Sequence, residues 1–201
     1  LRLRLENLQS ASDTPEDAED LSAAIDETNR LAGLVGDLLQ FARAEETAPP
    51  ETVDLVRLAA DRVDTWSAIA DAGDVALDFT SPHNAVLVSA VPGGVEQILD
   101  NLIDNALTAA PQDTHVSVAV VRGRATHRFT IADEGPGLSD DLKARALDRF
   151  WRFDHSEPGT GLGLPIASAL ARASGGSLEL HDSPSGGLAV TVTLPAQRAR
   201  Y

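Results

Sequence analysis

The sequence contains no cysteine, so disulfide bonds and thiolate metal sites are excluded and the redox compartment cannot be read from cysteine usage. It has no apolar run near the ~18 residues that would cross a bilayer, and no signal-peptide pattern at its start. It also has no methionine, and it begins at Leu1 within a helical pattern. We therefore expect a soluble, cytoplasmic piece of a longer protein.

Positive charge is scarce in this chain. Against 31 Asp and Glu there are 16 Lys and Arg, which gives a formal charge of −15 and a pI near 4.5. A general nucleic-acid surface needs clustered cations, so we expect no nucleic-acid partner. A phosphorylated ligand would have to be held by a metal, by backbone N–H groups and by one or two local cations.

The first 46 residues read as helix. Leu1, Leu5 and Leu8 have helical spacing, turn formers occupy 10–15, and apolar residues then recur every three or four positions over 16–46. A helix of about 30 residues would be ~45 Å long, and its apolar stripe needs a partner. We expect a helical hairpin that pairs with a second copy into a four-helix bundle. One amphipathic helix packed on its own domain is the alternative.

Pro49 and Pro50 break this pattern and mark a linker at 47–51, so the predicted domains are 1–46 and 52–201. In the second domain helices alternate with mainly antiparallel strands, and turns at 122–124 and 183–187 join two pairs of these strands, the first pair as a hairpin. The predicted helices are 55–70, 94–110, 139–150 and 164–173, and the predicted strands are 75–80, 85–90, 115–121, 127–133, 177–181 and 188–194. The pattern indicates an α+β fold, a two-layer α/β sandwich with one helical layer on one sheet.

Two asparagines lie on one face of the helix predicted for 94–110. Asn101 and Asn105 are four residues apart, which places them one turn from each other. Their carboxamide oxygens are neutral ligands for a hard cation, and Mg²⁺ bound to phosphates needs only one or two protein ligands. A helix-surface or capping role is the alternative.

Two glycine-rich loops follow. In the first, a strand ends at Asp133, and Gly135 and Gly137 let the backbone turn sharply beside a carboxylate that could accept from an exocyclic amine. An ordinary turn explains this loop equally well in isolation. The second loop leads into a helix whose amides and dipole favour an anion. Its residues are Gly159, Thr160, Gly161, Leu162 and Gly163. It is neither a P-loop nor a dinucleotide-binding fingerprint.

In this order the motifs resemble the catalytic half of a sensor histidine kinase of two-component signalling. The ATP-binding fold of that family, of the Bergerat type, is shared with gyrase, Hsp90 and MutL. Residues 101–106 resemble its N box, 133–137 its G1 box, 149–152 its F box and 159–164 its G2 box. Residues 34–45 resemble the end of the second helix of its dimerisation and phosphotransfer domain.

The resemblance implies specific roles. Asn105 would bind Mg²⁺, Asp133 would read the adenine amine, and 138–158 would form a mobile lid over ATP. The γ-phosphoryl group would pass to a histidine on the helical bundle, then to an aspartate in the receiver domain of a response regulator. Gyrase-like ATPases have a glutamate base where Asn101 stands, so transfer is favoured over hydrolysis. The chain would be the cytoplasmic portion of a membrane-anchored sensor.

The sequence departs from the family pattern at several positions. No histidine precedes His83, so we expect the phosphoacceptor to lie outside these residues and the chain not to phosphorylate itself. Thr108 and Ala109 stand where the family often has a cation and an aromatic residue, and Arg152 or His155 is the candidate to compensate. Leu188 and Ala189 replace a common hydroxyl. A degenerate nucleotide-sensing or dimerisation module and a gyrase-type ATPase remain as alternatives.

The other histidines are expected to be structural. His83, His115, His127 and His181 lie in predicted turns or strands, and none has metal-ligand spacing to another. His155 is the exception, because it lies in the predicted lid and could contact phosphate.

Overall fold

The structure is a computed structural model that describes residues 49–148, 150–152 and 160–197, together with Leu21. The helical hairpin predicted for 1–46 lies outside the described residues, apart from Leu21, which is helical. Of the predicted site, Gly159 and the lid residue His155 also lie outside them. The division at 47–51 therefore stays a prediction.

Between residues 49 and 197, the described residues form seven strands and four helices. The strands are β1 Glu51–Asp54, β2 Val75–Thr80, β3 Leu87–Ala90, β4 Thr114–Arg122, β5 Thr126–Ala132, β6 Ser177–Asp182 and β7 Leu188–Pro195. The helices are α1 Leu55–Ala72, α2 Gly94–Ala109, α3 Asp140–Arg145 and α4 Gly163–Ala173. None of these helices combines the length and the hydropathy that crossing a bilayer requires.

The main sheet has five strands in the order β2-β4-β5-β7-β6. β2 runs parallel to β4, and the other neighbouring pairs are antiparallel. Residues alternate between the two faces, so that Val118, Ile131 and Val190 lie side by side on the buried face. The predicted hairpin at 122–124 is confirmed, because Arg122 pairs with His127 across the β4–β5 turn.

Helices α1, α2 and α4 cover that buried face. Their inward side chains join those of the strands in one core, whose largest fully buried members include Phe129, Leu99, Ile103 and Ile166. The two-layer α/β sandwich predicted from the sequence is therefore confirmed. The core fixes α2 and α4 against each other, and this pair carries most of the predicted site.

One predicted helix is too long, and one strand was missed. The helix predicted over 139–150 ends at Arg145, because Asp148 N–H bonds back to the Arg145 carbonyl and Phe150 turns into the left-handed region at φ 63°. The strand β1 was not predicted. It pairs with β3 through Glu51 and Ala90, and Asp54 caps α1 by accepting from Val56 N–H at 3.1 Å. The pairing of β1 with β3 joins residues that are distant in sequence.

Candidate functional site

Asp133 lies just beyond the end of β5 and is 3% exposed. Its Oδ1 accepts from the backbone N–H of Gly135 at 2.9 Å and of Leu188 at 3.1 Å. Burial raises the pKa of the Asp133 carboxyl, and the hydrogen bonds from Leu188 and Gly135 oppose that rise. The carboxylate is thus fixed by backbone donors from two loops.

Glycine is required where these two loops meet. A Cβ built on Gly135 would lie 2.6 Å from the Ala109 carbonyl oxygen, at the end of α2. A Cβ on Gly187 would overlap Asp133 Oδ1 and lie 2.7 Å from Gly135 N, and Gly187 has φ 79°. The close approach brings the β6–β7 turn onto Asp133, so the Leu188 N–H takes part in holding the carboxylate.

The two asparagines predicted as ligands lie on α2 and are both half-buried. Asn101 Oδ1 accepts from Gln97 Nε2 at 3.4 Å, one turn earlier. Its Nδ2 is buried and has no hydrogen-bond partner among the described residues. Within this part of the chain no cluster of three or more His, Asp or Glu side chains could hold a metal. A cation here would therefore need ligands from a bound phosphate as well as from Asn105.

The second glycine loop leads directly into α4. Gly161 has φ 70°, and Thr160 Oγ1 accepts from Leu162 N–H at 3.3 Å. No described side chain caps α4, and its first turn carries no acidic residue. The amides of Gly163 and Leu164, which begin this helix, thus have no side-chain cap, and such uncapped N-termini are able to receive an anion.

The segment 150–152 packs against this loop. Phe150 N–H donates to the Gly161 carbonyl at 3.1 Å, and the Arg145 guanidinium lies 5.8 Å from the centre of the Trp151 ring. Arg152 lies alongside Gly161, where an added Cβ would be 3.1 Å from Arg152 Cγ. Its Nη2 is buried and has no partner among the described residues.

Unsatisfied donors from three elements therefore occur around one loop. Asn101 lies next to Gly163, since a Cβ added to that glycine would be 3.9 Å from Asn101 Cβ. Arg152 flanks Gly161, and the amides of α4 begin between them. A buried donor without a partner costs about 1–3 kcal/mol. Donors of this kind favour a ligand rich in anionic acceptor oxygens, such as a polyphosphate.

The start of the predicted lid is anchored on the other side. Lys143 Nζ on α3 lies 2.6 Å from Asp182 Oδ1, at the end of β6, and 3.1 Å from Asp140. The hydrogen bond to Asp182 raises the pKa of Lys143. This contact connects α3 to the strand that precedes the turn carrying Gly187.

A sequence profile of the family described as histidine kinase-, DNA gyrase B- and HSP90-like ATPase matches residues 90–198, more than half of the 201. The chain belongs to this ATPase family. The match contains both asparagines, both glycine loops and the two donors described above. The described residues thus form the ATP-binding catalytic portion of a sensor kinase, and the comparisons give no support to a degenerate module or a gyrase-type enzyme.

Individual relatives and a solved structure are consistent with this family. The chain is 41% identical over 126 residues to the sensor protein kinase CarS of Pseudomonas aeruginosa, covering 59% of this chain and 28% of CarS. It is 33% identical over 196 residues to a probable sensor histidine kinase, HK, of Mycobacterium tuberculosis, covering 93% and 50%. The structure of full-length ShkA in complex with AMPPNP matches with a TM-score of 0.77 at 26% identity, covering 98% of this chain and 42% of ShkA. The chain thus spans half or less of the length of these relatives.

Some features of the site were not foreseen from the sequence. Gln97 precedes Asn101 by one helical turn, a spacing that could have suggested the pair. Gly187 was placed in a turn without a reason for its being glycine. Among the histidines, His127 Nδ1 accepts from Gly123 N–H at 3.3 Å, whereas His115 and His181 face Asp78 and Glu179 at the surface. These contacts fit the structural roles expected for them.

Proposed function

We propose that this chain binds ATP with Mg²⁺ and transfers its γ-phosphoryl group to a histidine that is not among the 201 residues. The phosphoryl group then passes to an aspartate in the receiver domain of a response regulator. The observation that carries the proposal is the set of unsatisfied donors around the second glycine loop, formed by Asn101 Nδ2, Arg152 Nη2 and the start of α4. The kinase relatives supply the reaction class.

Each part of the site has a role in this proposal. Asp133 accepts a hydrogen bond from the adenine amine, and Gly135, Gly137 and Gly187 allow the base to approach the backbone. Gly159, Thr160, Gly161, Leu162 and Gly163 carry the phosphates, together with Arg152. Bound Mg²⁺ would be held by Asn105 and by phosphate oxygens, and would neutralise charge on the transferring group.

Catalysis of this type depends on position and electrostatics rather than on a general base. Charge spreads over the equatorial oxygens of the transferring group, so fixed donors lower the barrier. Asn101 has no basic group with which to activate water. Release of free phosphate should accordingly be slow, and the phosphoryl group should reach only an acceptor that is brought to the site.

The rest of the system follows from the same proposal. The acceptor histidine lies on a helical bundle formed with a second copy of the chain, and residues 1–46 supply part of it. The bundle also receives the response regulator. We place the domain in the cytoplasm, attached through further segments to a sensor in the membrane.

Calorimetric titration with ATP, with and without Mg²⁺, tests the nucleotide site. We expect binding in the micromolar to sub-millimolar range, worth about 5–8 kcal/mol, that strengthens with Mg²⁺. Asn105→Ala should remove the Mg²⁺-dependent gain and leave metal-free ADP binding in place. Asn84→Ala, an exposed asparagine away from the site, is the matched control. If Asn105→Ala keeps the full response to Mg²⁺, its role as metal ligand is wrong.

Phosphotransfer needs a second assay, because the acceptor must be supplied. The chain is mixed with radiolabelled ATP and with a protein that carries the helical bundle and its histidine. Acid-labile, base-stable label on that protein is expected. Rapid release of inorganic phosphate by the chain alone would instead support a gyrase-type ATPase.

A further inference from the structure

The short helix α3 is held against the β6–β7 turn by one lysine. Lys143 Nζ lies 2.6 Å from Asp182 Oδ1 at the end of β6, and 3.1 Å from Asp140 Oδ1 on its own helix. Both carboxylates are largely exposed, whereas the Lys143 side chain is only 12% exposed. Because Asp140 belongs to α3 itself, Asp182 is the partner that fixes this helix to the sheet.

Asp182 lies next to the support of the carboxylate that would read adenine. In the β6–β7 ladder Asp182 pairs with Leu188, and Leu188 N–H donates to Asp133 Oδ1 at 3.1 Å. The turn between them is closed on itself, since Ser183 is buried and its N–H donates to the Gly187 carbonyl at 3.1 Å. A movement of Asp182 is therefore passed to Leu188 and to the hydrogen bond on Asp133.

The other end of α3 leads to the phosphate loop. The guanidinium of Arg145, in the last turn of the helix, lies 5.8 Å from the centre of the Trp151 ring, a cation–π contact. Beside Trp151, Phe150 N–H donates to the Gly161 carbonyl at 3.1 Å. One cation of α3 thus contacts the adenine end of the site, and another contacts the segment that packs on the phosphate end.

Coupling between two ends of a site requires an element that contacts both. We propose that Lys143 is a positioning residue which, through Asp182 and α3, couples the adenine end of the site to the second glycine loop. A nucleoside that binds at Asp133 then also favours the arrangement of the loop that receives phosphate. The inference rests on the proposed function, because both ends belong to the same ATP site.

Nuclear magnetic resonance of the ¹⁵N-labelled chain reports the two ends separately, through the amide of Leu188 and the amides of Gly161 and Gly163. Adenosine, which has no phosphate, is the probe. At saturation it should shift all three amides in the wild type. In Lys143→Met the Leu188 shift should remain, because Asp133 is intact, and the shifts of the two glycines should be largely lost. An ion pair that only stabilises the fold would leave the ratio of these shifts unchanged.

Affinity gives a second readout. Calorimetry should show ADP binding roughly two- to fivefold more weakly to Lys143→Met, the effect of one partly exposed ion pair. Arg57→Met also removes a cation, from a side chain on α1 that is 83% exposed, and should leave both readouts unchanged. Asp182→Asn breaks the same ion pair from the exposed side and tests the inference if Lys143→Met does not fold. The double variant should lose no more affinity than Lys143→Met alone, because both changes remove one interaction.

The outcomes separate this inference from the proposed function. If the wild type binds ADP but adenosine shifts Gly161 and Gly163 equally in the wild type and in Lys143→Met, the site binds nucleotide and the coupling through Lys143 is wrong. Additive losses of affinity in the double variant would likewise contradict a shared interaction. If neither ADP nor Mg-ATP shifts any resonance of the wild type, the proposed function fails and the inference fails with it.

Discussion

Replacement of Gly187 by alanine is the most direct test of how the adenine end of the site is built. Gly187 has φ 79°, and a Cβ there would overlap both the carbonyl oxygen and the Oδ1 of Asp133. The turn must therefore move away from Asp133 in this variant. Since Leu188 N–H is one of the backbone donors to Asp133 Oδ1, that movement weakens the support of a buried carboxylate.

The expected loss of stability has two parts. Alanine in the left-handed region costs roughly 1–2 kcal/mol. Loss of a hydrogen bond to a buried charged group costs about 1.5–3 kcal/mol. The total for Gly187→Ala is therefore about 2.5–5 kcal/mol, a large fraction of the stability of a domain of this size.

Gly186→Ala is the matched control, because Gly186 has φ 94° but nothing within 4 Å of an added Cβ. It carries the backbone cost alone, roughly 1–2 kcal/mol. Urea unfolding followed by circular dichroism measures both variants, and calorimetry measures ADP binding in whichever folds. We expect Gly187→Ala to be less stable than the control by about 1.5–3 kcal/mol and to bind ADP at least tenfold more weakly. Equal losses in the two variants would refute the packing of Gly187 on Asp133.

Two further predictions concern the carboxylate and the contact between α1 and α2. Burial raises the pKa of Asp133 above 3.8, so the fold should lose stability as pH rises from 3.8 through the raised pKa. Adenine binding needs the carboxylate and should strengthen over the same pH range. Asp133→Asn should flatten the first trend in urea unfolding and the second in calorimetry. Trp66 Nε1 donates to Asp100 Oδ1 at 2.8 Å, so Trp66→Phe should cost about 1–2 kcal/mol in urea unfolding, and less in an Asp100→Ala background.

The sequence predicted the elements whose patterns are local. Strong apolar periodicity located α1, α2, α4 and six of the seven described strands to within a few residues, and glycine placed the hairpin at Gly123. β1 was missed because four residues gain a partner only through β3, a contact that periodicity does not encode. The predicted helix over 139–150 is longer than α3, because helix propensity does not report the hydrogen bond from Phe150 N–H to the Gly161 carbonyl.

The side chains of the site likewise depend on contacts that the sequence pattern does not encode. Spacing and residue type were enough to predict four site residues, Asn101, Asp133, Gly161 and Gly163. The hydrogen bonds that orient their side chains could not be predicted in this way. The Oδ1 of Asn101 accepts from Gln97 one turn earlier, and the support of the Asp133 carboxylate depends on an amide 55 positions further along the chain.

The unsatisfied donors also bear on stability without nucleotide. Asn101 Nδ2 and Arg152 Nη2 are buried without partners among the described residues, at about 1–3 kcal/mol each. In a chain of charge −15, a site for a polyphosphate has to keep such donors unpaired. An acidic side chain paired with them would compete with phosphate for the same groups. The stability given up there is recovered when a nucleotide binds. It follows that ADP should raise the unfolding temperature of this domain by more than adenosine does at the same free-ligand concentration, because the phosphates add affinity at these donors.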